Sequence, residues 1–234
     1  MSENKDIHNI ANRVQNTQVN IAKACELAGR DPVQVNLMAV SKTKPSSAVQ
    51  AAYEAGQRIF GENYAQELAD KSVELSHLAD IEWHYIGPIQ SNKTKLIAQS
   101  CQWVDSVDRL KIARRLNQHA IELNKTLNIL IQVNVSNSST KSGLLLEEVD
   151  DFCKELSLLS HVKLRGLMAI PDKTEDETKL KQEFNLMHAC YLSLQQQYTN
   201  IDTLSLGMSQ DMNLAIECGS TMVRIGTDIF GARA

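Results

Sequence analysis

The sequence predicts an α/β fold, a single (β/α)8 TIM barrel with an extra N-terminal helix. Three observations favour it. Eight apolar runs of strand length alternate with helical patterns along 234 residues. The runs are almost continuously hydrophobic, as over 127–135, which is typical of parallel strands buried on both faces. No glycine-rich G-x-G-x-x-G turn, the mark of the competing doubly wound sheet, follows the first run.

The first predicted element is a helix. Its apolar residues recur at 3.6-residue spacing, and they are Ile7, Ile10, Val14, Ile21 and Cys25. Gly29 follows at the point where a helix commonly ends in a left-handed residue. We therefore expect residues 1–29 to form a helix that lies across the barrel.

Eight strands are predicted after this helix. Their positions are 34–41, 58–61, 82–86, 102–107, 127–135, 162–169, 202–206 and 221–226. Between them, Pro45 and Ser46 begin a helical pattern that Gly56 ends, and Asp108 precedes another pattern as its expected cap. The longest pattern, over 180–198, has an apolar stripe that fits a helix packed against a sheet better than a coiled-coil seam.

Composition and charge exclude several function classes. The net charge of −4 argues against a nucleic-acid surface, which needs clustered excess lysine and arginine. No stretch reaches the ~20 apolar residues that cross a membrane, and the first residues lack the apolar core of a signal peptide. The five cysteines and six histidines are scattered without ligand spacing, so we expect no metal site. These features favour a cytoplasmic protein with reduced thiols.

The end of the first predicted strand carries the candidate covalent anchor. TIM barrels build their sites where the strands end, and here the apolar run ends in Ser41, Lys42 and Thr43. An amine that emerges from an apolar strand is partly desolvated, which lowers its pKa from about 10.4 and leaves some of it free to attack aldehydes. An ordinary solvated lysine is the alternative interpretation of Lys42.

A phosphate site is predicted after the last two strands. TIM barrels often bind phosphate on the loops that follow strands seven and eight. Ser209 is expected to start a helix there and to offer a hydroxyl, while Gly226 and Thr227 offer backbone N–H groups. Helix N-termini attract anions through their unbonded donors and partial positive charge. A cap or a turn explains either loop alone equally well, whereas the two together favour a phosphate.

One ligand suits both features of this barrel mouth. Pyridoxal 5'-phosphate carries an aldehyde for Lys42 and a phosphate for the loops opposite. Arg224, from the eighth predicted strand, would then face the ring nitrogen. Arginine keeps its proton in proteins, so it leaves that nitrogen unprotonated and makes the ring a weak electron sink.

Six motifs in order resemble those of the pyridoxal phosphate homeostasis protein family. They are AVSKTKP at 39–45, FGENY at 60–64, WHYIGPIQSNK at 83–93, GLMAIP at 166–171, LSLGMSQDM at 204–212 and VRIGTDIFG at 223–231. The similarity extends over essentially the full chain. It implies a single pyridoxal-phosphate-binding domain over 1–234, like the N-terminal domain of alanine racemase.

The resemblance also implies roles for individual residues. Lys42 holds the cofactor as a Schiff base, Arg224 faces the ring nitrogen, and the predicted phosphate residues keep that role. Asn63 and Met168 belong to the wall of the site, and His84 is the weakest candidate. The family is regarded as non-catalytic, so no catalytic residue is assigned. Its members carry or buffer the cofactor, and apo forms of pyridoxal-phosphate enzymes are the implied recipients.

Two enzymatic alternatives stay open. One is a racemase or decarboxylase with an unknown substrate, and the other is an aldolase-like barrel that uses Lys42 on a sugar phosphate without a cofactor. The chain stops at Ala234, without the second domain of alanine racemases, which predicts an open mouth and a monomer. Lys141 lies in the segment 139–143, which is expected to be a mobile basic loop.

Overall fold

The computed structural model describes residues 2–232, with side chains from residue 9 onward. The helices in this part of the chain are α1 (Ser2–Leu27), α2 (Ser46–Glu54), α3 (Ala65–Glu74), α4 (Thr94–Ser100), α5 (Leu110–Glu122), α6 (Val149–Ser157), α7 (Glu177–Gln197), α8 (Met212–Glu217) and α9 (Thr227–Phe230). The strands are β1 (Asn36–Val40), β2 (Ile59–Glu62), β3 (Glu82–Tyr85), β4 (Trp103–Val107), β5 (Leu127–Val133), β6 (Val162–Ala169), β7 (Thr203–Ser205) and β8 (Met222–Ile225).

The eight strands form a closed parallel barrel in sequence order, with β8 paired to β1. This confirms the predicted fold class. Every predicted strand is present, and its bounds differ from the prediction by two residues or fewer. Because all strands run in parallel, their carboxyl ends and the turns after them meet at one end of the barrel.

Side chains alternate between two cores. Outward-facing residues such as Leu37, Ala39, Val223 and Ile225 are buried under the helices in one large apolar cluster. Met38, which lies between two of them, has the opposite orientation and belongs to the barrel interior. The interior has its own small apolar cluster, which consists of Trp103, Leu130 and Met168. This alternation decides which strand residues face the site.

The first helix is present as predicted, and α1 packs on α2, α8 and α9, beside the junction of β8 and β1. Its predicted apolar face is buried at Ile10, Val14, Ile21 and Cys25. Ile7 lies outside the residues whose side chains the structure describes. Gly29 has a φ of 66°, which confirms the left-handed residue after this helix.

One predicted cap was wrong. Arg109, not Asp108, is the residue before α5, and no side chain caps that helix. The Asp108 carboxylate instead accepts a hydrogen bond from Arg109 Nε at 2.8 Å. The buried stripe of α7 is Phe184, Met187, Tyr191 and Leu194, so this helix packs on the sheet, as its periodicity predicts.

Two further findings concern membranes and metals. Among the described helices, none has the length and apolar character needed to span a membrane. Across residues 2–232, no group of three or more histidine, cysteine or acidic side chains is arranged to hold a metal ion. The five cysteines are all free thiols.

Candidate functional site

The topology gathers the predicted site residues on one arc of the barrel's carboxyl end. β6, β7, β8, β1 and β2 are consecutive neighbours in the closed sheet. In that order, these strands and the turns after them carry Met168, Ser209, Arg224, Gly226, Thr227, Lys42 and Asn63. A β-carbon built on Gly226 would lie 3.3 Å from the carbonyl oxygen of Val40, so the ends of β8 and β1 are in close contact.

Lys42 lies two residues beyond the end of β1 and is half-buried. It has the same parity along the chain as Met38, whose side chain lies in the barrel interior. The next residue, Thr43, has a φ of 64°. This left-handed conformation is strained for a β-branched residue and is typical of functional turns. The chain therefore makes a sharp, strained turn directly after the candidate anchor.

Helix α3 holds both peptide groups next to the candidate anchor. Lys71 Nζ donates to the carbonyl oxygen of Ser41 at 2.9 Å, and Glu67 Oε2 accepts from the backbone N–H of Thr43 at 2.8 Å. Lys71 and the Ser41 hydroxyl also donate to Glu62 Oε1, at 2.7 Å and 2.6 Å. Burial raises the pKa of Glu62, and the attraction of Lys71 opposes that shift.

Arg224 is buried inside the barrel, with 4% of its surface exposed. Its Nη1 donates to the carbonyl and hydroxyl oxygens of Ser205, each at 2.7 Å, and its Nη2 donates to the carbonyl oxygen of Ala169 at 2.9 Å. Burial lowers the pKa of Arg224 to about 10, against the attraction of Asp105 and Asp211. Oxygens without formal charge thus fix the guanidinium in place and leave its positive charge available to a ligand.

Asn63 and Met168 lie on the same arc, Asn63 directly after β2 and Met168 within β6. The side-chain oxygen of Asn63, Oδ1, is buried and accepts no hydrogen bond from any described residue. An unsatisfied buried acceptor costs ~1–3 kcal/mol, so a donor on a ligand would complete it. Met168 is fully buried and packs with Trp103 and Leu130 below the mouth.

The loops after β7 and β8 differ from the prediction at one point. Ser209 lies in a turn three residues before α8, so the prediction that it starts this helix was wrong. The physical reason is that Asp211 Oδ1 accepts from the backbone N–H of Met208 at 2.6 Å, which closes a turn before the helix begins. Gly226 directly precedes α9, which begins at Thr227 as predicted.

The loop that follows β5 is anchored, where the sequence predicted a mobile one. Lys141 Nζ donates to the carbonyl oxygens of Ile170 and Pro171 and lies 3.1 Å from a carboxylate oxygen of Asp172. These acceptors follow β6. Lys141 therefore ties two neighbouring loops of the barrel mouth together.

Sequence analysis missed several residues that support the site. One is Ser205, which accepts hydrogen bonds from Arg224, and another is Asp105, which lies beside His84. The others surround the anchor turn and are Glu62, Glu67 and Lys71. A signal existed for Asp105, since it has the same parity as Trp103 in a short apolar strand and so faces the interior. Lys71 gave no such signal, because a lysine on a helix is normally solvated.

Comparisons with known proteins agree with this geometry. Residues 13–234 match the family model of the alanine racemase N-terminal domain. A pyridoxal phosphate homeostasis protein from Pasteurella multocida is 50% identical, over 92% of this chain and 94% of its own. Another from Escherichia coli K12 is 47% identical, over 97% of this chain and 98% of its own.

A solved structure supports the same assignment. PipY of Synechococcus elongatus with pyridoxal phosphate bound superposes with a TM-score of 0.79 at 36% identity, over 90% of this chain and 100% of its own. The identity, the nearly complete coverage and the common barrel all lead to one conclusion. The chain belongs to the pyridoxal phosphate homeostasis proteins, within the alanine racemase N-terminal domain family.

Proposed function

We propose that this protein binds pyridoxal 5'-phosphate and holds it for delivery to apo forms of pyridoxal-phosphate enzymes, as a cytoplasmic monomer without catalysis of its own. Two kinds of relative support the proposal. The curated relatives from P. multocida and E. coli are named for pyridoxal phosphate homeostasis, and the PipY structure contains the cofactor.

The proposed binding roles follow the positions of the residues on the arc. Lys42 is the residue whose amine would hold the cofactor covalently, by condensing with its aldehyde carbon and releasing the aldehyde oxygen as water. The turn at Ser209 and the backbone N–H groups of Gly226 and Thr227 bind the phosphate. Asn63, whose buried Oδ1 lacks a donor among the described residues, completes its hydrogen bonding with the ligand.

The environment of Arg224 is the observation that best supports a non-catalytic role. When bound, the cofactor stabilises negative charge on an attached amino acid, and it does so best when its ring nitrogen is protonated. Arg224 is fixed by Ser205 and Ala169 and cannot give a proton to that nitrogen. The residue therefore holds the ring in place and leaves it a weak electron sink, which suits storage of the cofactor.

The test is reductive trapping of the cofactor on the protein. The purified protein is expected to absorb visible light, to lose that band after borohydride treatment, and to carry a pyridoxyl phosphate adduct on Lys42 in a peptide mass map. Lys42→Ala is expected to fold normally and to lack the adduct. Lys44→Ala is the matched control, since the Lys44 amine donates to the carbonyl oxygen of Ala232.

A different labelling result would contradict the proposal. A colourless protein that takes up no cofactor and is instead labelled at Lys42 by borohydride with a sugar phosphate would favour the aldolase-like alternative. Transfer is tested by mixing the loaded protein with an apo-enzyme that requires pyridoxal phosphate. If the activity of that enzyme recovers at the rate seen with an equal amount of free cofactor, the proposal that this protein delivers the cofactor is wrong.

A further inference from the structure

The three charged side chains Glu62, Glu67 and Lys71, here named the α3 clamp, lie beside the anchor turn. Glu62 ends β2 and has the same parity as Phe60, which packs under the helices, while Glu67 and Lys71 belong to α3. Glu62 is fully buried and Lys71 is 5% exposed. Burial of charged groups costs several kcal/mol each, and it is tolerated only where pairing and hydrogen bonds compensate. The compensation here comes from the Lys71–Glu62 ion pair and from the hydroxyl and carbonyl oxygens of Ser41, the residue before Lys42.

Two members of the clamp, Glu67 and Lys71, form hydrogen bonds with the two peptide groups that flank Lys42. The carbonyl group before it, from Ser41, accepts from Lys71 Nζ at 2.9 Å. The N–H group after it, from Thr43, donates to Glu67 Oε2 at 2.8 Å. Glu67 and Lys71 are four residues apart on α3, and their charged atoms lie 3.5 Å apart. One helix face therefore orients both peptide planes next to Lys42.

The clamp also supports a strained conformation. Thr43 has a φ of 64°, which a β-branched residue adopts only where its surroundings impose it. The Thr43 N–H bond to Glu67 is a charge-assisted contact that favours this conformation. The direction of the Cα–Cβ bond of Lys42 depends on its own φ and ψ, which the two flanking peptide planes determine.

We infer that the α3 clamp is a positioning device, in which Glu67 and Lys71 hold the backbone of Lys42 so that its amine meets the cofactor aldehyde. The inference rests on the proposed function. It assigns the clamp no contact with the cofactor, and it predicts an effect on the attachment step that is separable from an effect on folding.

The test compares three substitutions on α3. Glu67→Ala removes the acceptor of the Thr43 N–H from a side chain that is 34% exposed, so the fold is expected to be kept. Glu67→Gln retains an oxygen that can accept the same bond. Asp70→Asn is the matched control, because Asp70 is exposed on the same helix and its carboxylate accepts a hydrogen bond from the neighbouring Gln66 Nε2.

The first measurements are the rate of covalent attachment after pyridoxal phosphate is added to the cofactor-free protein, and the pH dependence of the visible band. Glu67→Ala is expected to attach the cofactor ~10-fold to 100-fold more slowly, which is the usual effect of a small misplacement of a reacting group. Its band is expected to titrate at a different pH. Glu67→Gln is expected to recover most of the rate, and Asp70→Asn all of it.

A second readout needs no cofactor. In the apo protein, the amide proton of Thr43 is expected to shift upfield in the NMR spectrum of Glu67→Ala, because its charge-assisted hydrogen bond is lost. If Glu67→Ala shifts this proton and yet attaches the cofactor at the wild-type rate with an unchanged band, the inference is wrong. If the wild type itself attaches no cofactor, the proposed function fails instead.

Lys71→Met supplies an independent check of the other half of the clamp. It is expected to slow attachment at least as much as Glu67→Ala, since it frees the Ser41 carbonyl. Circular dichroism distinguishes this effect from unfolding, which the unpaired Glu62 would promote. A folded Lys71→Met protein with wild-type attachment would overturn the role of Lys71, and an unfolded one leaves the decision to the Glu67 series.

Discussion

His84 Nδ1 lies 2.9 Å from Asp105 Oδ2, and neither side chain is exposed to solvent. On the other side of the ring, Nε2 lies 3.3 Å from Glu82 Oε1, and the ring itself stacks on Trp103 with centroids 4.9 Å apart. Burial opposes the charged form, but the attraction and hydrogen bonds of Asp105 and Glu82 outweigh it and raise the pKa of His84 to about 9. His84 is therefore expected to be protonated at neutral pH, between the buried carboxylate of Asp105 and the partly exposed carboxylate of Glu82.

This arrangement predicts that stability depends on pH. The pKa of His84 rises from 6.5 to about 9 on folding, so its stabilising contribution is fully present below pH 6.5 and is lost as the pH rises through 9. The contribution amounts to ~3 kcal/mol of unfolding free energy. Urea unfolding is expected to show stability falling between about pH 7 and 9.5, and His84→Gln is expected to lack that slope. A wild-type stability that is constant over this range would contradict the prediction.

Arg224 is predicted to control protonation of the cofactor ring. Arg224→Glu places a carboxyl group that can share a proton with the ring nitrogen, so the visible band of the bound cofactor is expected to shift. Arg224→Gln removes the charge without adding an acid and is expected to shift the band less. Circular dichroism checks that both variants fold. An unchanged band in Arg224→Glu would mean that this side chain does not face the ring.

The same environment predicts slow chemistry on amino acids. In D2O, the loaded wild type is expected to exchange the α-proton of L-alanine no faster than free pyridoxal phosphate does, because the ring is a weak electron sink. Arg224→Glu is expected to exchange it faster. Proton NMR measures both rates. Rapid exchange by the wild type, abolished in Lys42→Ala, would favour the racemase-like alternative.

Gly87 is predicted to be essential for the position of Asn63. A β-carbon at Gly87 would lie 2.0 Å from the backbone oxygen of Asn63, so Gly87→Ala must displace the turn after β2. The expected cost is ~1–3 kcal/mol of unfolding free energy, together with weaker cofactor binding. Urea unfolding and a cofactor titration measure the two effects.

The matched control is Gly29→Ala. A β-carbon there meets nothing within 4 Å, and the φ of 66° alone makes the substitution unfavourable. It is expected to cost ~1–2 kcal/mol of unfolding free energy and to leave cofactor binding unchanged. Equal weakening of cofactor binding by both variants would show that the effect of Gly87→Ala comes from lost stability and not from Asn63.

Much of the site was predictable because it lies at strand ends. Lys42 and Arg224 were predicted from apolar runs and from the rule that parallel barrels place their sites at one end, whereas the role of Asn63 was implied by the family resemblance. The start of α8 was not predictable in the same way. Ser209 has the properties of a helix cap, but Asp211 closes the preceding turn first. Which polar side chain bonds to a backbone group in such a loop depends on the loop geometry.

The sequence by itself determined the order of eight strands, the extra first helix, and which strand ends carry the lysine and the arginine. Hydrophobic periodicity is a local property of the sequence, and it predicts an element without information on which other elements pack against it. Only the tertiary structure decided that Glu67 and Lys71 bond the peptide groups beside Lys42, and that Asp105 meets His84. These contacts join residues of different strands and helices, and their distances depend on how the barrel closes, which no local pattern encodes.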